Sequence, residues 1–76
     1  MEGLGQSDSH AVNIWLNGEQ KEVEALTVTA LVESLRLPAP ALLVEHNGLA
    51  LRREEWPERF LNPGDRVEII RIVAGG

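Results

Sequence analysis

The chain has 76 residues, no cysteine, and a net charge of −5 from twelve acidic and seven basic residues. That length makes one small domain, which buries roughly 60% of its unfolded surface and leaves little room for a deep internal active site. The missing cysteines exclude disulfides, thiolate metal sites and a cysteine nucleophile. The bases Lys21, Arg36, Arg52, Arg53, Arg59, Arg66 and Arg71 form no stripe, which speaks against nucleic-acid binding. No apolar run approaches the ~20 residues of a membrane span, and no secretory signal opens the chain, so a cytoplasmic protein with no membrane partner is expected.

Residues 1–11 are Gly- and Ser-rich without apolar periodicity and read as a flexible N-terminal arm. Val12, Ile14 and Leu16 alternate with polar positions until Trp15, predicting a strand that leads into Asn17-Gly18, a strong hairpin signal. Residues 19–26 then read as a second strand with a polar face. Thr27 is a candidate N-cap, and Val28, Leu31, Val32 and Leu35 fall on one helical face, with Glu33 and Ser34 opposite. Leu37-Pro38 is expected to stop this helix, because the residue before proline is pushed out of the α region.

Residues 41–46 read as a third strand ending in a second turn, Asn47-Gly48, and residues 49–51 as a short fourth strand. Residues 53–57 suggest an irregular or single-turn segment, Phe60 and Leu61 apolar anchors, and residues 62–65 a tight turn. The last strand spans residues 66–73. The order β-β-α-β-β-β predicts an α+β domain over residues 12–73, with one main helix packed on a mixed sheet of four to five strands. The first and last strands are expected at its centre, parallel to each other, since the connection between them is long enough for a crossover.

Catalytic constellations are sparse. His10 and His46 are the only imidazoles, and neither has metal-ligand spacing to another ligand; His46, in phase with Leu42 and Val44, reads as a partly buried strand residue. Glu54-Glu55 reads as a solvated loop, and Gly3 and Gly5 precede no strand–helix unit that would cradle phosphate. No catalytic residue, metal site or chain-bound cofactor is assigned.

The end of the chain is more telling. Ala74-Gly75-Gly76 follows the last strand as an expected flexible tail, thin because neither glycine has a Cβ and so able to enter a narrow tunnel. Its carboxylate is the expected working group, with Gly76 the attachment point. In the last strand Val67 and Ile69 suit the core, whereas Ile70 and Ile72 share the opposite face. On a sheet covered by one helix that face is open to water, so Ile70 and Ile72, joined by Leu43, form an expected partner-docking patch. The acidic Glu45 and Glu68 are expected to face basic partner surfaces.

With these features the chain resembles the ThiS family of sulfur carriers, ubiquitin-like β-grasp proteins of thiamine biosynthesis. The resemblance covers about residues 12–76. It rests on the opening strand with Asn17-Gly18, Thr27-Val28 with the helix ending at Leu35, and Val44-Glu45-His46-Asn47-Gly48. It continues through Arg53-Glu54-Glu55-Trp56, the run from Leu61-Asn62-Pro63-Gly64-Asp65 to Ile69, and the Ala74-Gly75-Gly76 end. The N-terminal arm is longer than the family's, and His46 stands where a branched apolar residue is commoner.

The resemblance implies a carrier rather than an enzyme. An E1-type adenylyltransferase similar to ThiF would join the Gly76 carboxylate to AMP, using ATP and magnesium. A persulfide sulfur donor would displace AMP to leave a thiocarboxylate, and a thiazole synthase similar to ThiG would take the sulfur. Carriers for molybdopterin or cysteine synthesis share such a tail, although Arg71-Ile72-Val73-Ala74 as its lead favours the thiamine branch. A ubiquitin-like modifier, limited to Lys21 for self-conjugation, and an inert β-grasp interaction domain are the other classes.

Overall fold

The computed structural model describes residues 11–72. The expected arm and tail, including Ala74, Gly75 and Gly76, therefore lie outside the described residues, apart from Ala11. Strands β1 (Val12–Leu16), β2 (Glu19–Val23), β3 (Leu42–His46), β4 (Leu49–Leu51) and β5 (Arg66–Arg71) form one sheet in the order β2-β1-β5-β3-β4, with helix α1 (Val28–Leu35) between β2 and β3. β1 runs parallel to β5, with Trp15 beside Arg66 and Leu16 beside Val67; the other pairings are antiparallel. This is the α+β arrangement with one main helix read from the sequence, and it is a ubiquitin-like β-grasp.

One sheet face meets the helix. Val28, Leu31 and Val32 from α1 pack with Ile14, Leu42, Val44, Leu51 and Val67 from the strands, and Trp56 and Leu61 close the cluster. Thr27 caps the helix as its composition suggests, its Oγ1 accepting from the Ala30 N–H at 3.1 Å. Both sheet edges are defended: β2 is charged and almost wholly exposed, and β4 has only three residues.

Four details depart from the sequence reading. β2 ends at Val23 rather than residue 26, because Val23 pairs with Val12, the first residue of β1, and no partner strand remains. The helix ends before the prolines: Arg36 turns into the left-handed region (φ 58°) and its N–H donates to the Glu33 carbonyl, closing the last turn without proline. Leu35, placed on the buried face by periodicity, is exposed because it lies in that last turn. Phe60 is no anchor: it is 60% exposed, while Leu61 beside it is buried. Thr27 and Phe60 form an antiparallel bridge, so successive residues 60 and 61 point to opposite sides, and only one can reach the core.

Leu31 is fully buried at the centre of the helix face. Leu31→Ala is expected to cost about 2–5 kcal/mol, measured as the shift in urea unfolding free energy. An unchanged midpoint would mean the α1–sheet contact is not what holds the domain.

Candidate functional site

The sheet face away from α1 is open. Side chains alternate along β5, so Val67 and Ile69 turn to the helix while Arg66, Glu68 and Ile70 turn outward. Register sets the rest of that face. Trp15 stands beside Arg66, Glu45 opposite Glu68, and Leu43 opposite Ile70, while the Ile72 N–H donates to the Ala41 carbonyl at 2.7 Å and keeps residue 72 in line. Leu43, Ile70 and Ile72 are 51%, 46% and 49% exposed. The three sequence-selected residues thus meet at the C-terminal end of β5, in an aliphatic patch that owes nothing to the core.

Glu45 and Glu68 lie beside this patch as direct cross-strand partners. Like charges facing each other across a ladder destabilise a sheet, and neither carboxylate has an ion-pair partner among the described residues. Towards the other end of β5 a shallow cleft of about 290 Å³ is lined by Trp15, Gly18, Arg66, Val67 and Glu68. Among the described residues no group of three or more His, Asp or Glu is placed to hold a metal ion, and no helix is long and apolar enough to cross a membrane.

The polar framework at the start of β5 was only partly visible in the sequence. His46 is buried at the end of β3, and its Nε2 lies 2.7 Å from Asp65 Oδ2. A carboxylate only accepts, so the ring carries its proton on Nε2. Nδ1 is buried without a partner among the described residues. The same Asp65 oxygen accepts from the Asn62 N–H (2.9 Å), and Oδ1 accepts from Asn47 Nδ2 (3.2 Å). Burial would raise the Asp65 carboxyl, but the bonds from Asn62, His46 and Asn47, with the positive charge of His46 when protonated, outweigh it and hold the group below its ordinary 3.8.

Asn17 and Asn47 each do more than turn the chain. Both adopt left-handed backbone (φ 51° and 53°), as their Asn-Gly hairpins require. Each also directs its carboxamide to β5. Asn47 Oδ1 accepts from the Arg66 N–H at 2.8 Å. Asn17 Oδ1 accepts from the Ile69 N–H at 2.8 Å while its Nδ2 donates to the Ile69 carbonyl at 3.3 Å, as a strand residue's backbone would. The dipeptide signals the turn, but no local pattern signals that the side chain reaches a strand 52 residues away.

The ThiS family model matches residues 14–76. The chain belongs to the ThiS family. The sulfur carrier protein ThiS of Thermus thermophilus is 33% identical over 63 residues, covering 83% of this chain and 98% of that protein. A crystal structure of a thiamine biosynthesis protein, ThiS, from Geobacter metallireducens aligns with a TM-score of 0.74 at 33% identity, over 86% of this chain and all of that one. A solution structure of a thiamine biosynthesis protein from the same organism gives a TM-score of 0.72 at 32% identity, over 86% and 88% of the two chains. Of the motif residues, Trp56 sits in the core at 3% exposure, so this part of the family pattern is packing, whereas Arg53 is on the surface.

Because Asp65 titrates below its unfolded value, its contribution to stability is complete above pH 3.8 and is lost as pH falls through the folded-state value. Asp65→Asn is expected to lower unfolding free energy at pH 7 by about 1–3 kcal/mol. The gap to wild type should close as pH falls below about 4 in a urea series. A gap of constant size from neutral to acid pH would show that the carboxylate charge is not what matters.

Proposed function

We propose that this chain is a sulfur carrier of thiamine biosynthesis whose Gly76 carboxylate is the group that is charged, carried and discharged. The observation that carries the reading is the ThiS family match, which runs from β1 through to Gly76. A carboxylate is a poor electrophile and must be activated. In the proposed cycle a Gly76 oxygen attacks the α-phosphorus of ATP on an E1-type, ThiF-like adenylyltransferase, with magnesium neutralising the phosphates, and pyrophosphate leaves. The terminal sulfur of a persulfide attacks the acyl adenylate and expels AMP. A thiol then cleaves the S–S bond, giving the thiocarboxylate and a new disulfide. That sulfur passes to a ThiG-like thiazole synthase.

The carrier's part is positioning. Gly75 and Ala74 form the slender lead into an enclosed partner site, where water is excluded. Ile70, Ile72 and Leu43 dock on the partner, and the facing Glu45–Glu68 carboxylates beside them, without an ion-pair partner among the described residues, favour a partner surface with basic side chains. The chain supplies no catalytic group of its own. It acts in the cytoplasm, and ATP and magnesium belong to the activating enzyme.

The test is the intact mass of the chain after incubation with ATP, magnesium, sulfide and a ThiF-type enzyme. A gain equal to exchanging one oxygen for sulfur is expected, and it should vanish when Gly76 is deleted. No sulfur gain and no AMP adduct would remove the carrier reading. Gly75→Phe should abolish adenylation without moving the thermal midpoint, because the replacement is too wide for the tunnel; normal adenylation would refute the role of the thin tail.

Ile70→Arg should weaken binding to the adenylyltransferase by at least about tenfold, as a docking residue does. Because Ile70 is half exposed, it should cost under about 1 kcal/mol of stability. Calorimetry and denaturation on the same sample separate the two effects.

A further inference from the structure

Although β5 is the central strand of the sheet, one of its flanks is open. The Ile72 N–H donates to the Ala41 carbonyl and the Asn47 N–H to the Arg66 carbonyl, both at 2.7 Å. Residues 66, 68, 70 and 72 therefore turn their backbone groups to β3, and by alternation residues 67, 69 and 71 turn theirs to the β1 side. On that side the Val67 carbonyl accepts from the Asn17 N–H at 2.9 Å. Both backbone groups of Ile69 are taken by the Asn17 carboxamide. Next comes Arg71. β1 has ended at Leu16, and the Asn17-Gly18 turn has carried the chain away to β2. The Arg71 N–H and C=O meet no partner among the described residues.

An unpaired stretch of strand backbone is a template for another strand. Here it lies beside the exposed side chains of Ile70 and Ile72, so a segment added at this flank would gain apolar contacts as well as ladder hydrogen bonds. Asn17 limits where such a segment begins. By occupying Ile69 it leaves Arg71 as the first free position, which fixes the register of an added strand relative to the carrier's end.

We propose that the β1-side flank of β5 at Arg71 is a strand-addition site: an extended segment of the activating protein pairs with the Arg71 backbone and continues the sheet where Asn17 ends it. This rests on the carrier reading above, since the occupant is the ThiF-type adenylyltransferase.

Proline at position 71 tests it. Proline removes the N–H on the open side only, and an edge position tolerates it without breaking the β3 ladder. Arg71→Ala removes the side chain and keeps the N–H. With the ThiF-type adenylyltransferase, Arg71→Ala is expected to bind as wild type does, and Arg71→Pro to bind at least about tenfold more weakly, a loss of about 1.4 kcal/mol. Equal binding by Arg71→Pro and Arg71→Ala overturns strand addition and leaves the carrier reading intact.

Should Arg71→Pro unfold, amide exchange at Arg71 in the wild-type chain decides the matter. Protection of that amide in the complex supports the site, and exchange as fast as in the free chain overturns it. A wild-type chain that the enzyme neither binds nor adenylates overturns the carrier reading and this inference together.

Discussion

Strand β5 is anchored by polar groups from three different turns, and the rest of the molecule depends on that anchoring. Asn17 binds it at Ile69 and Asn47 at Arg66. Asp65, at its entrance, gathers His46, Asn47 and Asn62 around one carboxylate while its carbonyl accepts from the Trp15 N–H at 2.8 Å. In a domain of this size the apolar core is shallow, and a parallel β1–β5 pairing of only two residues in register is a weak seam. Asn17, Asn47 and Asp65 supply the definition that two ladder positions cannot. A shift of β5 by one residue would exchange Val67 and Ile69 for Glu68 and Ile70 on the core face, so holding its register also decides which residues stand outward.

What the sequence revealed follows from how local each signal is. The hairpins, the capped helix and the strand order rest on neighbouring residues, and all are found. The exposure of Ile70, Ile72 and Leu43 was legible because parity along a strand covered on one face leaves no other place for them. The end of α1 at Leu35 was legible, but the way it stops was not, because a left-handed Arg36 has no composition signature and the nearby prolines drew the explanation instead. Phe60 was misread because a large aromatic ring outweighed the parity that placed Leu61 inside. His46 was legible as a strand residue but not as the partner of Asp65, a contact across 19 residues that only the tertiary fold creates.

The core and the exposed aliphatic patch occupy opposite faces of one thin sheet. The helix side carries Ile14, Val44, Val67 and their partners, and it tolerates little change of shape. The open side carries an aliphatic patch, two facing carboxylates and a half-exposed indole, none of which the core needs. A pair such as Glu45 and Glu68 is a small cost that folding alone gives no reason to keep. It lies next to the Leu43–Ile70 pair on the face that the helix leaves open.

The two tryptophans divide along the same line. Trp56 is 3% exposed within the core, while Trp15 is 42% exposed on the open face beside Arg66, and the chain contains no tyrosine. Their fluorescence therefore has two separable components: a shielded, blue-shifted emission that follows unfolding, and a water-exposed, red-shifted emission accessible to iodide. The molecule carries its own pair of optical reporters, one for the integrity of the fold and one for whatever covers the sheet.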